Sequence, residues 1–97
     1  MSLLTEDQLK ASLIELDGWA GDVEGVEREV ELGSFPDAIA VVDQVAVVAE
    51  AMNHHPDIDI RWRTLTFRLS THSEGGVTQA DIDLARRISE LVAEQLG

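Results

Sequence analysis

The segment VEREVEL, residues 26–32, is the feature that most constrains the fold of this chain. Apolar residues and Arg28 fall on one side of the segment, and three glutamates fall on the other. A repeat of two residues is typical of a β-strand that has one buried and one wet face. Such strands belong to antiparallel sheets whose apolar face is covered by helices. The chain is therefore expected to contain both a sheet and the helices that cover it.

Three helices are predicted from their N-terminal caps. Thr5 is followed three positions later by Gln8, and Thr78 by Asp81, which are capping-box patterns, while Ser34 is a plausible N-cap for the middle helix. Apolar residues recur behind these caps at three- and four-residue steps: Leu9, Leu13, Ile14 and Leu16 in the first helix, Ile39, Val42, Val45, Ala46, Ala49 and Met52 in the second, and Ile82, Ala85, Ile88, Val92 and Leu96 in the third.

Two further extended regions complete the pattern. Residues 19–23 predict a short first strand, and residues 58–71 alternate like VEREVEL, with a kink near Arg63 that can divide them into two strands. The predicted order is α-β-β-α-β-β-α. This order indicates an α+β fold, a two-layer sandwich in which helices pack on one face of a four-stranded antiparallel sheet. The length predicts a single domain over residues 1–97.

The composition excludes several classes of function. The formal net charge of −12 argues against binding to nucleic acid or to anionic membranes, because both require clustered Lys and Arg. The absence of cysteine excludes disulfides, thiolate nucleophiles and Cys-based zinc sites. The sequence has no long apolar run and no signal-peptide pattern, so we expect no membrane span and a cytoplasmic location. Arg61, Arg63 and Arg68 form a local cationic group that could attract a polar ligand or line the outer face of a strand.

The stretch EAMNHHP contains two of the three histidines and one of the two prolines. Pro56 disfavours the α conformation for His55, so the second helix is predicted to end at Asn53 or His54. A helix C-terminus favours an imidazolium at His54, and Glu50 lies four positions earlier on the same helix face. We therefore predict that Glu50 orients the His54 ring and that His55 points in another direction.

The third histidine, His72, ends the long extended region. In a sheet rich in hairpins, this strand end can lie beside the end of the second helix, where one site would contain Glu50, His54, His55, His72 and Asp81. Other interpretations remain open at this point. Asp81 is also explained as a helix cap, and Trp62 as an ordinary sheet aromatic. Three histidines and a carboxylate could hold zinc, although their spacing matches no common zinc motif.

Seven positions together resemble the signature of the pterin-4a-carbinolamine dehydratases: Glu50, His54, His55, Pro56, Trp62, His72 and Asp81. The stretches AEAMNHHP, LSTH and GGVTQADIDLA are also similar to the sequences of that family, and the resemblance covers nearly the whole chain. It implies dehydration of 4a-hydroxytetrahydrobiopterin, or a related pterin, to the quinonoid dihydropterin and water. This lyase reaction recycles the cofactor of aromatic amino acid hydroxylases. It implies a homodimer or homotetramer and no metal, nucleotide or redox cofactor.

The resemblance also implies roles for individual residues. Proton removal from the pterin and protonation of its departing hydroxyl suit imidazoles, so the catalytic candidates are His54, His55 and His72. The residues expected to bind or border the pterin are Glu50, Asn53, Trp62 and Asp81. Trp62 would support the pocket wall, and Asp81 would bind the ligand or orient His72. The chain has Ala80 and Asn53 where some animal members have Arg and Asp, which affects the choice of pterin.

Two other functions compete with the enzyme hypothesis. Some proteins of this fold are dimerisation partners of a homeodomain transcription factor, and degenerate relatives assist the assembly of Rubisco. Such degenerate relatives lose the histidines, whereas this chain keeps all three, which favours catalysis. A metal-binding protein is the third hypothesis, and it predicts stoichiometric zinc in the purified protein.

Overall fold

A computed structural model describes residues 2–97, so Met1 of the predicted domain lies outside the described part of the chain. The elements are α1 (Glu6–Ile14), β1 (Ala20–Asp22), β2 (Gly25–Glu31), α2 (Phe35–Met52), β3 (Asp57–Arg61), β4 (Thr64–Leu69), a 3-10 turn (His72–Glu74) and α3 (Gln79–Leu96). All neighbouring strands are antiparallel, in the order β1-β2-β4-β3. The predicted order of helices and strands and the predicted α+β class are confirmed.

The sheet has one buried face and one polar face. Val26 and Val30 of β2 stand opposite Leu69 and Leu65 of β4, and all four side chains are buried. Phe67 lies between the two leucines and is fully buried. The glutamates of β2 occupy the other face, so the alternation of VEREVEL predicted correctly which side packs against the helices.

The helices bury less of their predicted stripes than the sequence suggested. In α2 the buried residues are Ala38, Val41, Val45 and Ala49, while Ala46, which was predicted in the stripe, is exposed. Valine and alanine occur on all sides of this helix, so the apolar periodicity could not show which side faces the sheet. Ile14 is 81% exposed and Leu96 is 55% exposed, although both were predicted in the apolar stripes of their helices.

Local signals fixed where the elements begin and end. The Thr5 hydroxyl accepts a hydrogen bond from the backbone N–H of Gln8, at 3.1 Å, and the Gln8 side chain accepts one from the Thr5 N–H, at 2.9 Å. β3 and β4 are joined by two residues, Trp62 and Arg63, and Trp62 has a positive φ of 53°. The predicted kink near Arg63 is therefore a hairpin turn.

Within residues 2–97, no helix combines the length and apolar character needed to span a bilayer.

Candidate active site

The histidine pair lies at the corner between α2 and β3. The last residue of α2 is Met52, and Asn53, where the helix was predicted to end, is its C-cap in the left-handed conformation, with φ 51° and ψ 42°. The backbone N–H of His54 still donates to the Ala49 carbonyl, at 3.0 Å. Left-handed helix caps of this kind turn the chain sharply away from the helix axis. The rings of His54 and His55 therefore leave the corner in different directions.

His54 is held by Asp81, at the start of α3. Its Nε2 atom lies 2.5 Å from Oδ1 of Asp81. The other carboxylate oxygen, Oδ2, accepts hydrogen bonds from the Thr71 hydroxyl, at 2.8 Å, and from the Thr78 backbone N–H, at 2.9 Å. The Asp81 side chain is fully buried, and a buried carboxylate requires such donors. Asp81 thus caps α3, as predicted, and also orients His54 rather than His72.

His55 is held by Glu50 instead. Its Nε2 atom lies 2.7 Å from Oε1 of Glu50, and both side chains are mostly exposed. The prediction that Glu50 orients His54 is therefore wrong. The spacing of four residues applies to a continuing helix, but the left-handed Asn53 interrupts it and sends His54 toward α3. His55 takes the position beside Glu50.

The end of β4 is tied to the same carboxylate as His54. Thr71, whose hydroxyl contacts Asp81, directly precedes His72. His72 itself is the first residue of the 3-10 turn, and its side chain is exposed. The end of β4 and the end of α2 therefore both contact Asp81, while a site shared by His54, His55 and His72 stays a prediction.

An apolar groove of about 720 Å³ lies beside the corner. Glu50 and His55 are its titratable residues, and the remaining lining residues are Val45, Ala46, Val47, Ala49, Ala51, Pro56 and Ile58. Concave, largely apolar sites with a few polar groups are typical of small-molecule binding. The His55–Glu50 pair therefore lies at a surface that can accommodate a ligand.

Trp62 is distant from this groove within a single chain. It lies in the β3–β4 turn, whereas the histidines precede the other end of β3. The five residues of β3 span roughly 17 Å at about 3.4 Å per residue. The ring is 70% exposed and stacks under the Arg63 guanidinium, 4.6 Å from the ring centroid. The expectation that Trp62 supports the pocket wall is therefore not met by one copy of the chain.

Thr71 is the site residue that sequence reasoning missed. The alternation of residues 64–71 places it on the inward side, in line with Leu65, Phe67 and Leu69. A polar residue at an inward position requires a hydrogen-bond partner, and this signal could have identified Thr71.

The positions of the side chains do not support the metal-binding hypothesis. Among residues 2–97, no group of three or more histidine or acidic side chains is placed to hold a metal ion.

Comparison with known proteins agrees with this arrangement. The family profile described as "Pterin 4 alpha carbinolamine dehydratase" matches residues 2–91. The chain belongs to this dehydratase family. A relative from Nocardia farcinica, provisionally named pterin-4-alpha-carbinolamine dehydratase, is 56% identical over 92% of this chain and 94% of its own length. A Mycobacterium avium relative with the same provisional name is 52% identical over 95% of this chain and 98% of its own length.

Solved structures place the chain in the pterin dehydratase fold. The crystal structure of a transcriptional coactivator/pterin dehydratase from Brucella melitensis superposes with a TM-score of 0.91, at 33% identity, over 94% of this chain and 99% of that one. A pterin dehydratase-like protein described as a RuBisCO assembly factor in the alpha-carboxysome superposes with a TM-score of 0.64, at 20% identity, over 76% of this chain and 86% of that one. At that identity, the second likeness concerns the fold alone.

Proposed function

We propose that this member of the pterin-4a-carbinolamine dehydratase family is an active hydro-lyase. Its substrate would be 4a-hydroxytetrahydrobiopterin or a related 4a-hydroxytetrahydropterin, and its products quinonoid dihydropterin and water. The reaction would recycle the pterin used by an aromatic amino acid hydroxylase. The observation that carries the proposal is the pair of histidines at one corner, each bound through Nε2 to its own carboxylate.

The two pairs suit the two proton transfers that the reaction requires. An ionised carboxylate only accepts hydrogen bonds, so each histidine donates its Nε2–H and keeps Nδ1 for chemistry. A neutral ring can remove the proton from the pterin nitrogen, and a protonated ring can deliver one to the departing hydroxyl. We assign His54 as the leading acid, with His55 and His72 as the further catalytic candidates.

The substrate-binding candidates divide into two groups. Glu50 lines the apolar groove and can face a pterin bound there, and Asn53 is exposed at the corner next to it and stays a candidate. Asp81 is buried and both of its oxygens already accept hydrogen bonds, so we assign it to positioning His54. Trp62 would approach a site only from a second copy of the chain.

A homodimer would bring a second Trp62 to the site. β3 is an edge strand, so every second residue points its main-chain N–H and C=O groups away from the sheet. If two copies of β3 paired antiparallel about Asp59 or Ile60, Arg61 of one copy would face Asp57 or Asp59 of the other. The isoleucines of β3 would meet on the opposite face. Such pairing would place the turn of one copy beside the beginning of β3 in its partner.

A stopped-flow assay of the loss of the 4a-hydroxypterin tests the enzyme proposal. Wild-type protein should exceed the spontaneous rate, and His54→Ala should lower kcat by about 10²- to 10⁴-fold, which is the typical contribution of a positioned proton donor. Asp83→Asn, on the exposed side of α3, serves as the control and should retain the wild-type rate. A wild-type rate equal to the spontaneous one, in a folded protein, would favour a binding role over catalysis.

A further inference from the structure

We infer that Thr71 is a positioning residue of the proposed site, which holds the Asp81 carboxylate so that His54 carries its proton on Nε2 and presents Nδ1 for chemistry. The inference rests on the proposed function for its catalytic consequence. The orientation of the ring can be measured without any turnover.

The position of each proton in the network follows from its contacts. The Thr78 hydroxyl accepts from the backbone N–H of Asp81 in the capping box of α3. The Thr71 hydroxyl donates its single proton to Oδ2 of Asp81, at 2.8 Å. The two hydroxyl oxygens are themselves 2.8 Å apart, so Thr78 must be the donor in that contact.

These contacts determine which oxygen faces the histidine. Oδ2 of Asp81 receives two hydrogen bonds, from the Thr71 hydroxyl and from the Thr78 backbone, which leaves Oδ1 directed at His54. The carboxylate could rotate only by breaking both bonds in a fully buried environment, where unpaired polar atoms are costly. An ionised carboxylate has no proton to give, so Nε2 of His54 must be the donor.

Thr71 adds a hydrogen bond to Asp81 that an ordinary helix cap lacks. The capping box of α1 has the same local pattern as that of α3, in which the N-cap residue and the third helical residue bind each other. Thr71 comes from a separate segment, at the end of β4, and adds a second donor to Oδ2. It therefore ties the strand end that carries His72 to the carboxylate that holds His54.

The main chain of Thr71 is anchored independently of its hydroxyl. Its N–H donates to the Gly76 carbonyl, at 2.9 Å, and its carbonyl accepts from the N–H groups of Glu74 and Gly75, both at 3.0 Å. A Thr71→Val substitution keeps the shape of the side chain and these backbone bonds, and it removes only the hydroxyl. The valine variant therefore separates the positioning role from the structure of the turn.

The experiment combines ring NMR with kinetics. In ¹⁵N-labelled wild-type protein, two-bond ¹⁵N–¹H spectra of the neutral His54 ring should show the Nε2–H tautomer. In Thr71→Val, Oδ2 of Asp81 keeps only the Thr78 N–H, so the carboxylate can turn Oδ1 away from the ring and His54 loses its fixed acceptor. We therefore expect a mixture of both tautomers and a kcat roughly tenfold lower, with a smaller change in KM, as expected for one lost positioning hydrogen bond. Thr71→Ser should restore both values. Thr66→Val, on the polar face of β4, is the matched control and should change neither.

The outcomes separate the inference from the proposed function. An Nδ1–H tautomer in the wild type, or an unchanged Nε2–H tautomer in Thr71→Val, would overturn the role of Thr71 whatever the activity. If the valine variant does not fold, the wild-type tautomer and Thr71→Ala provide the same test. A wild-type protein with no dehydratase activity but a tautomer that depends on Thr71 would overturn the proposed reaction and support the positioning role.

Discussion

Asp81 connects two parts of the protein through one side chain. It completes the cap of α3 and holds the ring of His54, and its carboxylate is fully buried. Glu50 makes the equivalent contact to His55 on the surface, where water competes for both partners. The two carboxylates therefore orient their histidines with very different consequences for stability.

Asp81→Asn should reduce the free energy of unfolding by about 1.5–3 kcal/mol, because hydrogen bonds to a buried charged group contribute that much. Urea denaturation monitored by circular dichroism measures the change. Asp83→Asn, two positions later and exposed, is the control and should stay within about 0.5 kcal/mol of wild type. Equal stabilities of the two variants would contradict the role of Asp81 in the buried network.

Glu50→Gln should have a milder effect than Asp81→Asn. The side chain of Glu50 is 81% exposed, so its loss should leave the free energy of unfolding within about 0.5 kcal/mol of wild type. The glutamine can still accept a hydrogen bond from His55, and we expect kcat to fall by less than about tenfold. Stopped-flow measurements on Glu50→Gln and Asp81→Asn in parallel test whether Glu50→Gln loses less kcat. A larger loss of kcat in Glu50→Gln would make His55, rather than His54, the leading catalytic residue.

At the scale of elements, the end of α2 determines where the histidines point. A residue in the left-handed conformation turns the chain out of the helix, and Asn53 is one of the few residue types that adopt it readily. The following Pro56 prevents the helix from resuming. The corner is thus built from local conformational preferences, and the histidine directions follow from it.

Asn53→Ala should lower the free energy of unfolding by about 1 kcal/mol, because a Cβ-bearing residue without a local hydrogen-bonding group is strained at a φ of 51°. For a domain of this size, that corresponds to a decrease in Tm of about 4–8 °C. Asn53→Gly should stay close to wild type, since glycine adopts this conformation freely. Calorimetry on the two variants measures both Tm values. A glycine variant as unstable as the alanine variant would show that the asparagine side chain, not its backbone conformation, stabilises the corner.

Across the described molecule, residues 2–97, the outer edge of β3 and one side of α2 are left without a packing partner. β3 ends the sheet, and Ile60 on it is 42% exposed. Val47 on α2 is 70% exposed and lines the groove that Ile58 also borders. Exposed edges and contiguous apolar surfaces are typical of association sites. Self-association would cover part of this surface.

Ile60→Lys should convert the protein to a monomer if copies pair through β3, since a charged residue on an edge strand opposes strand addition. Sedimentation velocity over a range of concentrations measures the change. Thr66→Lys, in the middle of the polar face of the sheet, is the control and should keep the wild-type assembly. A wild-type protein that remains monomeric at all concentrations would exclude the homodimer. An Ile60→Lys variant that assembles like the wild type would place the interface elsewhere.

The local features of this protein could be predicted from its sequence, and the partners of its site residues could not. Capping boxes, the strand alternation and the end of α2 depend on residues within a few positions of one another. The partner of His54 lies 27 positions away, on α3. The pairing of Glu50 with His54 was predicted from helical spacing and failed at Asn53, where the helix stops.

The order of helices and strands, the buried face of the sheet and the membership of the family could all be read from the amino-acid sequence. These depend on short-range backbone preferences and on a spaced set of residue types, both readable along the chain. Three features became known from the packed structure: which carboxylate holds which histidine, which side of α2 is buried, and that Trp62 lies far from the groove. Those outcomes depend on how distant segments pack, because only packing brings Thr71, Asp81 and His54 within hydrogen-bonding distance.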